Sequence, residues 1–141
     1  MPNHIHVVIQ PEKKEDLSKM LKLLAGRYTA YINKTYHRTG TLWEGRFKSS
    51  PIEEEKYLLG CIRYIEMNPV KAKIVSNPEE YPWSSYRKRA LGSYDPIVDL
   101  DPYYYELGKT PEERREAYKE WFNYRKKNRS VPFFILERLP K

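Results

Sequence analysis

Residues 50–72 read SPIEEEKYLLGCIRYIEMNPVKA, and this stretch predicts the central helix of the protein. Pro51 followed by three glutamates is a typical helix start, because Pro tolerates the first turn and carboxylates favour the positive end of the helix dipole. The apolar residues then recur at helical spacing, as Leu58, Cys61, Ile62 and Ile65. Pro69 is expected either to interrupt this helix or to begin a further short helix capped by Asn68.

Tyr64 and Asn68 are the residues of this stretch that can carry chemistry. Four residues apart on one helix, they share a face with about 6 Å between them. Gly60, one turn before Tyr64, leaves that side uncrowded. The Tyr64 hydroxyl can act as a nucleophile and the Asn68 oxygen as a metal ligand. Two alternatives remain open, a boundary tyrosine with its hydroxyl in water and an asparagine that only caps a helix.

The N-terminal segment places two histidines close together. Residues 5–9 are rich in β-branched side chains and predict a strand that ends before Pro11. Alternate side chains of a strand share a face, so His4 and His6 would lie side by side while Ile5 enters the core. Two neighbouring neutral imidazoles can chelate one divalent ion. The alternatives are a pair of polar residues on a solvated strand face and a disordered N-terminus.

Three further elements are expected. A helix capped by Asp16 or Ser18 runs to about Thr35, and residues 41–47 read as a strand. Thr110 and Glu113 form a capping box at the start of a helix that runs to about Lys127. The first helix has the apolar positions Leu17, Met20, Leu21, Leu24, Tyr28, Tyr31, Ile32 and Thr35, and the last has Ala117, Tyr118, Trp121 and Phe122.

Composition favours an anionic partner. The net charge is +7, and 13 Tyr and 3 Trp suit base stacking beside phosphate contacts, although most aromatic residues pack into cores. The single cysteine, Cys61, excludes an internal disulfide and a CxxC zinc site. The opening segment has neither a signal peptide's basic region nor a long apolar run, so we expect a cytoplasmic protein without a membrane partner.

Four sequence blocks, in order, resemble the REP-associated tyrosine transposases, a branch of the single-tyrosine HUH transposases of the insertion-sequence type. The blocks are MPNHIH (1–6), TLWEGRF (41–47), RYIEMNPVKA (63–72) and PWSSY (82–86). The resemblance implies an α+β, ferredoxin-like HUH domain with helices on one face of an antiparallel sheet. Because the chain begins at the HxH segment, we expect a partial domain at residues 1–91 that lacks the first strand, helix and strand. Residues 92–141 are expected to form a helical C-terminal extension packed on it.

The resemblance also implies a site and a reaction. His4, His6 and Asn68 would hold Mg²⁺ or Mn²⁺, and Tyr64 would cleave single-stranded DNA at palindromic or hairpin sequences through a 5′-phosphotyrosine. The protein would be a monomer or homodimer. Phosphate contacts are expected from Arg46, Lys48, Arg63 and Lys71, with ordinary surface charge as the alternative. Trp83 and Tyr86 can stack on unpaired bases, although for Trp83 packing against the main sheet is the favoured role.

Three points stay open at this level. The basic run of Arg125, Lys126, Lys127 and Arg129 can grip a hairpin stem or simply end the helix favourably. A non-catalytic nucleic-acid-binding remnant of such a transposase would keep the basic surface without the chemistry. A metal-dependent phosphodiesterase of another kind could use HxH without a covalent tyrosine. A covalent protein–DNA adduct separates the transposase from the other two classes.

Overall fold

A computed structural model describes residues 1, 3–52 and 55–127 of the chain. The helices are α1 (Lys14–Thr35), α2 (Glu55–Lys71), α3 (Tyr86–Leu91), α4 (Pro102–Glu106) and α5 (Pro111–Lys127), with a 3-10 turn at Pro78–Glu80. The chain divides into two compact units, the first within Met1–Pro51 and the second within Ile52–Phe133. Each unit is described by itself. None of the helices in the described ranges is long and apolar enough to cross a membrane.

The predicted antiparallel sheet is wrong. Across residues 1, 3–52 and 55–127, extended pairing is limited to isolated bridge residues, Ile5 and Trp43. Ile5, expected in the core, is 38% exposed, and its neighbours Val7 and Val8 are similarly open. β-Branched residues favour a strand only where an adjacent strand satisfies the backbone N–H and C=O groups and covers the side chains. Residues 5–9 and 41–47 form no such ladder, so the α+β class does not hold for the described part of the protein.

The first unit is organised around α1. The helix reaches Thr35 as predicted, but it begins at Lys14 without a side-chain cap. Leu21 and Ala25 are buried on it. The Ala25 carbonyl accepts hydrogen bonds from Thr29 Oγ1 at 2.8 Å and from the Trp43 indole Nε1 at 3.1 Å. This second bond ties the segment after α1 back onto the helix, in place of the predicted strand.

The second unit has an aromatic core supplied mainly by α5. Tyr118 and Phe122 are almost completely buried, as predicted, and the Phe122 ring packs edge-on against Tyr86 with 4.7 Å between centroids. The predicted capping box is confirmed, because Glu113 N donates to Thr110 Oγ1 and Thr110 N donates to Glu113 Oε2, both at 3.2 Å. Helices α3 and α5, which lie on either side of the expected boundary at residue 91, pack together in this unit.

The predicted interruption at Pro69 is also wrong. Helix α2 continues to Lys71 with Pro69 inside it. Pro69 lies in the last turn, where its missing N–H removes a single hydrogen bond and the helix is about to end. The carbonyls of Asn68 and Pro69 accept from Ala72 N and Ile74 N at 2.8 and 2.9 Å. Asn68 is therefore an interior residue of a helix and not the cap of a new one.

A buried carboxylate joins α2 to α3 and α5. The Glu66 side chain is 0% exposed and accepts hydrogen bonds from Ser85 Oγ at 2.6 Å and from the Tyr118 hydroxyl at 2.7 Å. Arg89 Nε lies 3.7 Å from Glu66 Oε1, close enough for an ion pair but too far for a hydrogen bond. Both oxygens of Glu66 therefore have polar partners inside the core.

Arg89 extends this network to α4. Its Nη1 pairs with Asp101 Oδ2 at 2.5 Å, and Asp101 Oδ1 caps α4 by accepting from Tyr104 N at 3.1 Å. The Tyr104 hydroxyl donates back to the Arg89 carbonyl at 2.7 Å. Burial raises the pKa of Glu66 to about 7, against the smaller lowering effects of the Ser85 and Tyr118 hydrogen bonds and of Arg89.

We predict that Glu66 makes folding pH-dependent. Because its pKa is raised from 4.5 to about 7 in the folded protein, this contribution to stability is complete below about pH 4.5 and is lost as pH rises through 7. Glu66→Gln, which cannot ionise, should show a shallower fall of Tm between roughly pH 5 and 8. Thermal unfolding followed by circular dichroism measures both slopes, with Glu106→Gln as the exposed control. Parallel slopes for the parent and Glu66→Gln would contradict the prediction.

Candidate nucleophile and metal ligands

Helix α2 places Tyr64 and Asn68 one turn apart on the same face, as the sequence predicts, because the helix is continuous through both. The Asn68 side chain is only 8% exposed, and its Nδ2 has no hydrogen-bond partner in the described structure. A buried amide without a partner costs about 1–3 kcal/mol. A half-turn of the amide exchanges Nδ2 and Oδ1, so the same side chain can present its oxygen to a cation at that position.

Tyr64 is half-buried beside a cation. The ammonium nitrogen of Lys71 lies 4.1 Å from the centroid of the Tyr64 ring. A cation over an aromatic face contributes about 0.5–1 kcal/mol at an exposed site, enough to favour one orientation of the ring. Lys71, expected to contact phosphate, therefore lies directly against the candidate nucleophile and belongs to the same helix.

His4 and His6 lie side by side in the first unit. Their ring centroids are 4.6 Å apart and their planes nearly perpendicular, although no strand holds them. The contact of His4 Nδ1 with Asn3 Oδ1, at 2.8 Å, makes Nδ1 the donor and leaves the Nε2 lone pair for a ligand. Histidine ligands of metals are commonly oriented in this way. Tyr64 and Asn68 lie in the second unit, so the two pairs are separate observations.

His, Cys, Asp and Glu side chains do not assemble into a complete metal site in the part of the chain that is described, where groups of three or more are absent. The candidate metal donors are therefore two imidazoles held close together in the first unit and, separately, the Asn68 amide in the second unit. An amide is a weaker ligand than a carboxylate, and neither unit by itself has the four strong ligands of a closed structural zinc site among its described residues.

The expected DNA-contact residues fall into two groups. The first group is exposed. It contains Arg46 and Lys48, which follow α1, and Trp83. Trp83 is 83% exposed, so the expectation that it packs into the core is wrong. The second group is buried or half-buried in the second unit. Tyr86 is 6% exposed within the core of that unit, and a base could reach its ring only if that core opened.

Arg63 has a structural role in the second unit. Its Nε donates to the Phe122 carbonyl at 2.8 Å, and its guanidinium lies 4.9 Å from the centre of the Phe122 ring. These contacts join α2 to α5. In the C-terminal basic run, Arg129 and the side chains of residues 125–127 lie outside the described residues.

Sequence reasoning missed the polar network that supports α2. Its members are Glu66, Ser85, Arg89, Asp101 and Tyr118. One signal was present, because Glu66 follows Ile62 by one helical turn and so falls beside the apolar stripe of α2. A carboxylate at such a position is buried only with polar partners, which identifies Glu66 as a candidate but does not identify its partners.

Comparison with known proteins gives one family and one relative. The family model described as "Transposase IS200 like" matches residues 1–68. A curated Haemophilus influenzae protein named as a REP-associated tyrosine transposase is 28% identical over 98 residues, which cover 62% of this chain and 56% of that protein. The chain thus spans little more than half the length of this relative. No solved structure matches the chain.

We predict that Asn68 lowers stability. Asn68→Leu removes the unpartnered amide at similar volume and should raise the free energy of unfolding by about 1 kcal/mol. Met67→Leu, a volume-conserving change at the adjacent buried position, is the control and should not stabilise the protein. Urea denaturation measures both variants. Destabilisation by Asn68→Leu would mean that the amide is held by the fold and is not kept for a ligand.

Proposed function

Because residues 1–68 match the family model described as "Transposase IS200 like", we propose that this transposase-like protein cleaves single-stranded DNA and transfers the strand through Tyr64. One observation carries the proposal. A half-buried tyrosine and a buried asparagine with an unpartnered amide lie one turn apart on a continuous helix. Single-stranded or hairpin DNA is the proposed substrate, as the resemblance of the four sequence blocks implies.

The proposed reaction exchanges one ester bond for another. The Tyr64 oxygen attacks the scissile phosphorus, the phenolic proton passes to water or a base, and the bond from phosphorus to the 3′-oxygen breaks. The leaving 3′-oxygen takes up a proton, and the phosphorus keeps its bond to the 5′-oxygen and is now also bonded to the Tyr64 oxygen. A 3′-hydroxyl on another end can reverse the step. Since the two bonds are of similar energy, the exchange needs no nucleotide triphosphate.

The proposed metal ligands are His4, His6 and Asn68, the set that the resemblance implies. When bound, a divalent ion supplies Lewis-acid polarisation of the scissile phosphate. Imidazole is a better ligand for Mn²⁺ than for Mg²⁺, which prefers oxygen and retains its water. The pairing of His4 Nδ1 with Asn3 supports this role, since it orients the ring and makes Nε2 the nitrogen that can bind the ion. We therefore propose Mn²⁺ as the preferred ion.

The proposed DNA contacts follow from exposure and position. Arg46, Lys48 and Lys71 are exposed cations that can pair with phosphates, and Lys71 does so next to Tyr64. Trp83 has its ring almost entirely in solvent and can stack on an unpaired base. Arg63 and Tyr86 would contribute indirectly, because both pack against Phe122 and hold α2 and α3 in place.

We predict that Tyr64→Phe abolishes the covalent protein–DNA adduct, because the change removes only the attacking oxygen. Tyr57→Phe is the matched control, since Tyr57 lies two turns earlier on the same face of α2 and is also half-buried. The protein is incubated with labelled hairpin DNA and Mn²⁺, and the adduct appears as a shifted band on a denaturing gel.

The outcomes of this experiment are distinct. An adduct that persists in Tyr64→Phe and disappears in Tyr57→Phe would move the nucleophile to Tyr57. Absence of an adduct from the folded parent protein on every hairpin, together with retained DNA binding, would favour the non-catalytic remnant.

We predict that His4→Ala and His6→Ala each weaken Mn²⁺ binding at least tenfold, as loss of a metal ligand generally does. His37→Asn is the control, because His37 is the remaining histidine and Asn tolerates its positive φ of 52°. Electron paramagnetic resonance of free Mn²⁺ reports binding without any DNA. Equal affinities for the parent and for the variant with both His4 and His6 replaced would exclude this pair as ligands.

A further inference from the structure

Two tyrosines expected to be buried on α1 are exposed instead. Tyr28 is 47% and Tyr31 62% exposed, and their rings stack with centroids 6.4 Å apart and planes 26° from parallel. The Trp43 ring lies 6.0 Å from the Tyr28 ring, and the two ring planes are tilted by 47°. Since the Trp43 indole is itself fixed to the Ala25 carbonyl, it restricts the movement of the Tyr28 ring. The first unit therefore presents a supported aromatic pair to solvent.

Cations lie beside this pair along the same face of α1. Arg27 precedes Tyr31 by four residues and Lys34 follows it by three, so both are its neighbours on the helix surface. Both cations are exposed. The sequence has no Asp or Glu between Asp16 and Glu44. The face defined by Arg27, Tyr28, Tyr31 and Lys34, called here the aromatic strip, is thus aromatic at its centre and positive at both ends.

We infer that the aromatic strip binds single-stranded DNA, with unpaired bases stacked on Tyr28 and Tyr31 and the backbone phosphates paired with Arg27 and Lys34. Exposed aromatic rings beside cations are the usual means of holding a single strand without reading its sequence. The inference rests on the proposed function, because it assigns a further contact surface to the same DNA, but it requires neither Tyr64 chemistry nor a metal ion.

Charge argues against a second copy of this chain as the occupant. A two-fold contact between two aromatic strips would bring Arg27 and Lys34 of one copy near the same cations of the other. Such like-charge contacts oppose association, whereas phosphates between the cations would be stabilised. The bases of a DNA strand would also stack on the faces of the two tyrosine rings. A purely apolar partner would only bury the hydrophobic surface of these rings and would leave the cations unpaired.

The test is DNA binding by fluorescence anisotropy, with labelled oligothymidine of about 20 nucleotides and EDTA present so that no cleavage occurs. The variant with Tyr28→Leu and Tyr31→Leu keeps apolar bulk but loses both ring faces, and we expect its affinity to fall tenfold or more. The variant with Phe at both positions keeps the faces and should bind within about twofold of the parent. Tyr124→Leu, on α5, removes an equally exposed ring elsewhere and should have no effect.

The cations are tested by their salt dependence. Arg27→Gln combined with Lys34→Gln should weaken oligothymidine binding and lower the slope of log affinity against log salt by about one or more. Lys22→Gln is the matched control, because Lys22 lies about two and a half turns before Tyr31 and so on the opposite side of α1. Lys22 is exposed as well, so it tests whether any surface charge suffices.

Each result decides the inference. Unchanged affinity in the double Leu variant overturns it, as does equal loss in the double Leu and double Phe variants, which would make the hydroxyls the determinant. A protein dimer that oligothymidine does not dissociate would assign the surface to a second copy and overturn it too. If the double Leu variant loses helix content, single Tyr31→Leu replaces it, since Tyr31 is the more exposed of the two tyrosines and stacks on Tyr28.

Failure of the proposed function gives a different pattern. Loss of oligothymidine binding in the double Leu variant but not in Tyr64→Phe supports the aromatic strip whether or not any adduct ever forms. A Tyr64-dependent adduct that forms normally in the double Leu variant, with unchanged affinity, leaves the proposed function standing and removes the aromatic strip.

Discussion

The second unit depends on one buried carboxylate. Glu66 is enclosed by Ser85, Tyr118 and Arg89, so α3 and α5 are both held to α2 through a single side chain. Burying a charge without partners would cost far more than a small unit can offset, and the network exists because every oxygen of the carboxylate is contacted. The same contacts fix the helix that carries Tyr64 and Asn68. The stability of the unit and the position of its candidate nucleophile therefore have a common origin.

The helices were predictable from sequence because their signals are local. The apolar stripe of α2 and the capping box of α5 need no knowledge of the rest of the chain, and both occur as expected. The sheet was not predictable, because a strand depends on a partner that its own sequence does not specify. Ile5 and Trp43 are residue types that are common in strands, yet they form isolated bridges in the described part of the protein.

The candidate site was predictable to the same local extent. Spacing alone placed Tyr64 and Asn68 on one face, and the HxH pattern placed two imidazoles together, although by proximity and not by a strand. What sequence could not give was the environment. Three features of that environment depend on packing. Asn68 is buried without a partner for its amide, Trp83 is exposed, and Arg63 bonds to the Phe122 carbonyl inside the protein. The four family blocks thus mix residues of different kinds, with Glu66, Ser85 and Tyr86 supporting the fold beside those proposed for chemistry.

The way in which α2 is held has a consequence for movement. Glu66 bonds α2 to the start of α3, and Glu66 and Arg63 bond it to α5. These bonds restrict bending and sliding of α2 relative to the other two helices. Opening it locally would expose the Glu66 carboxyl group, an arginine and an aromatic core together, which makes slow, concerted hydrogen exchange the expected behaviour of its backbone amides. Any displacement of Tyr64 by several ångströms would then be a movement of α2 together with the helices bonded to it.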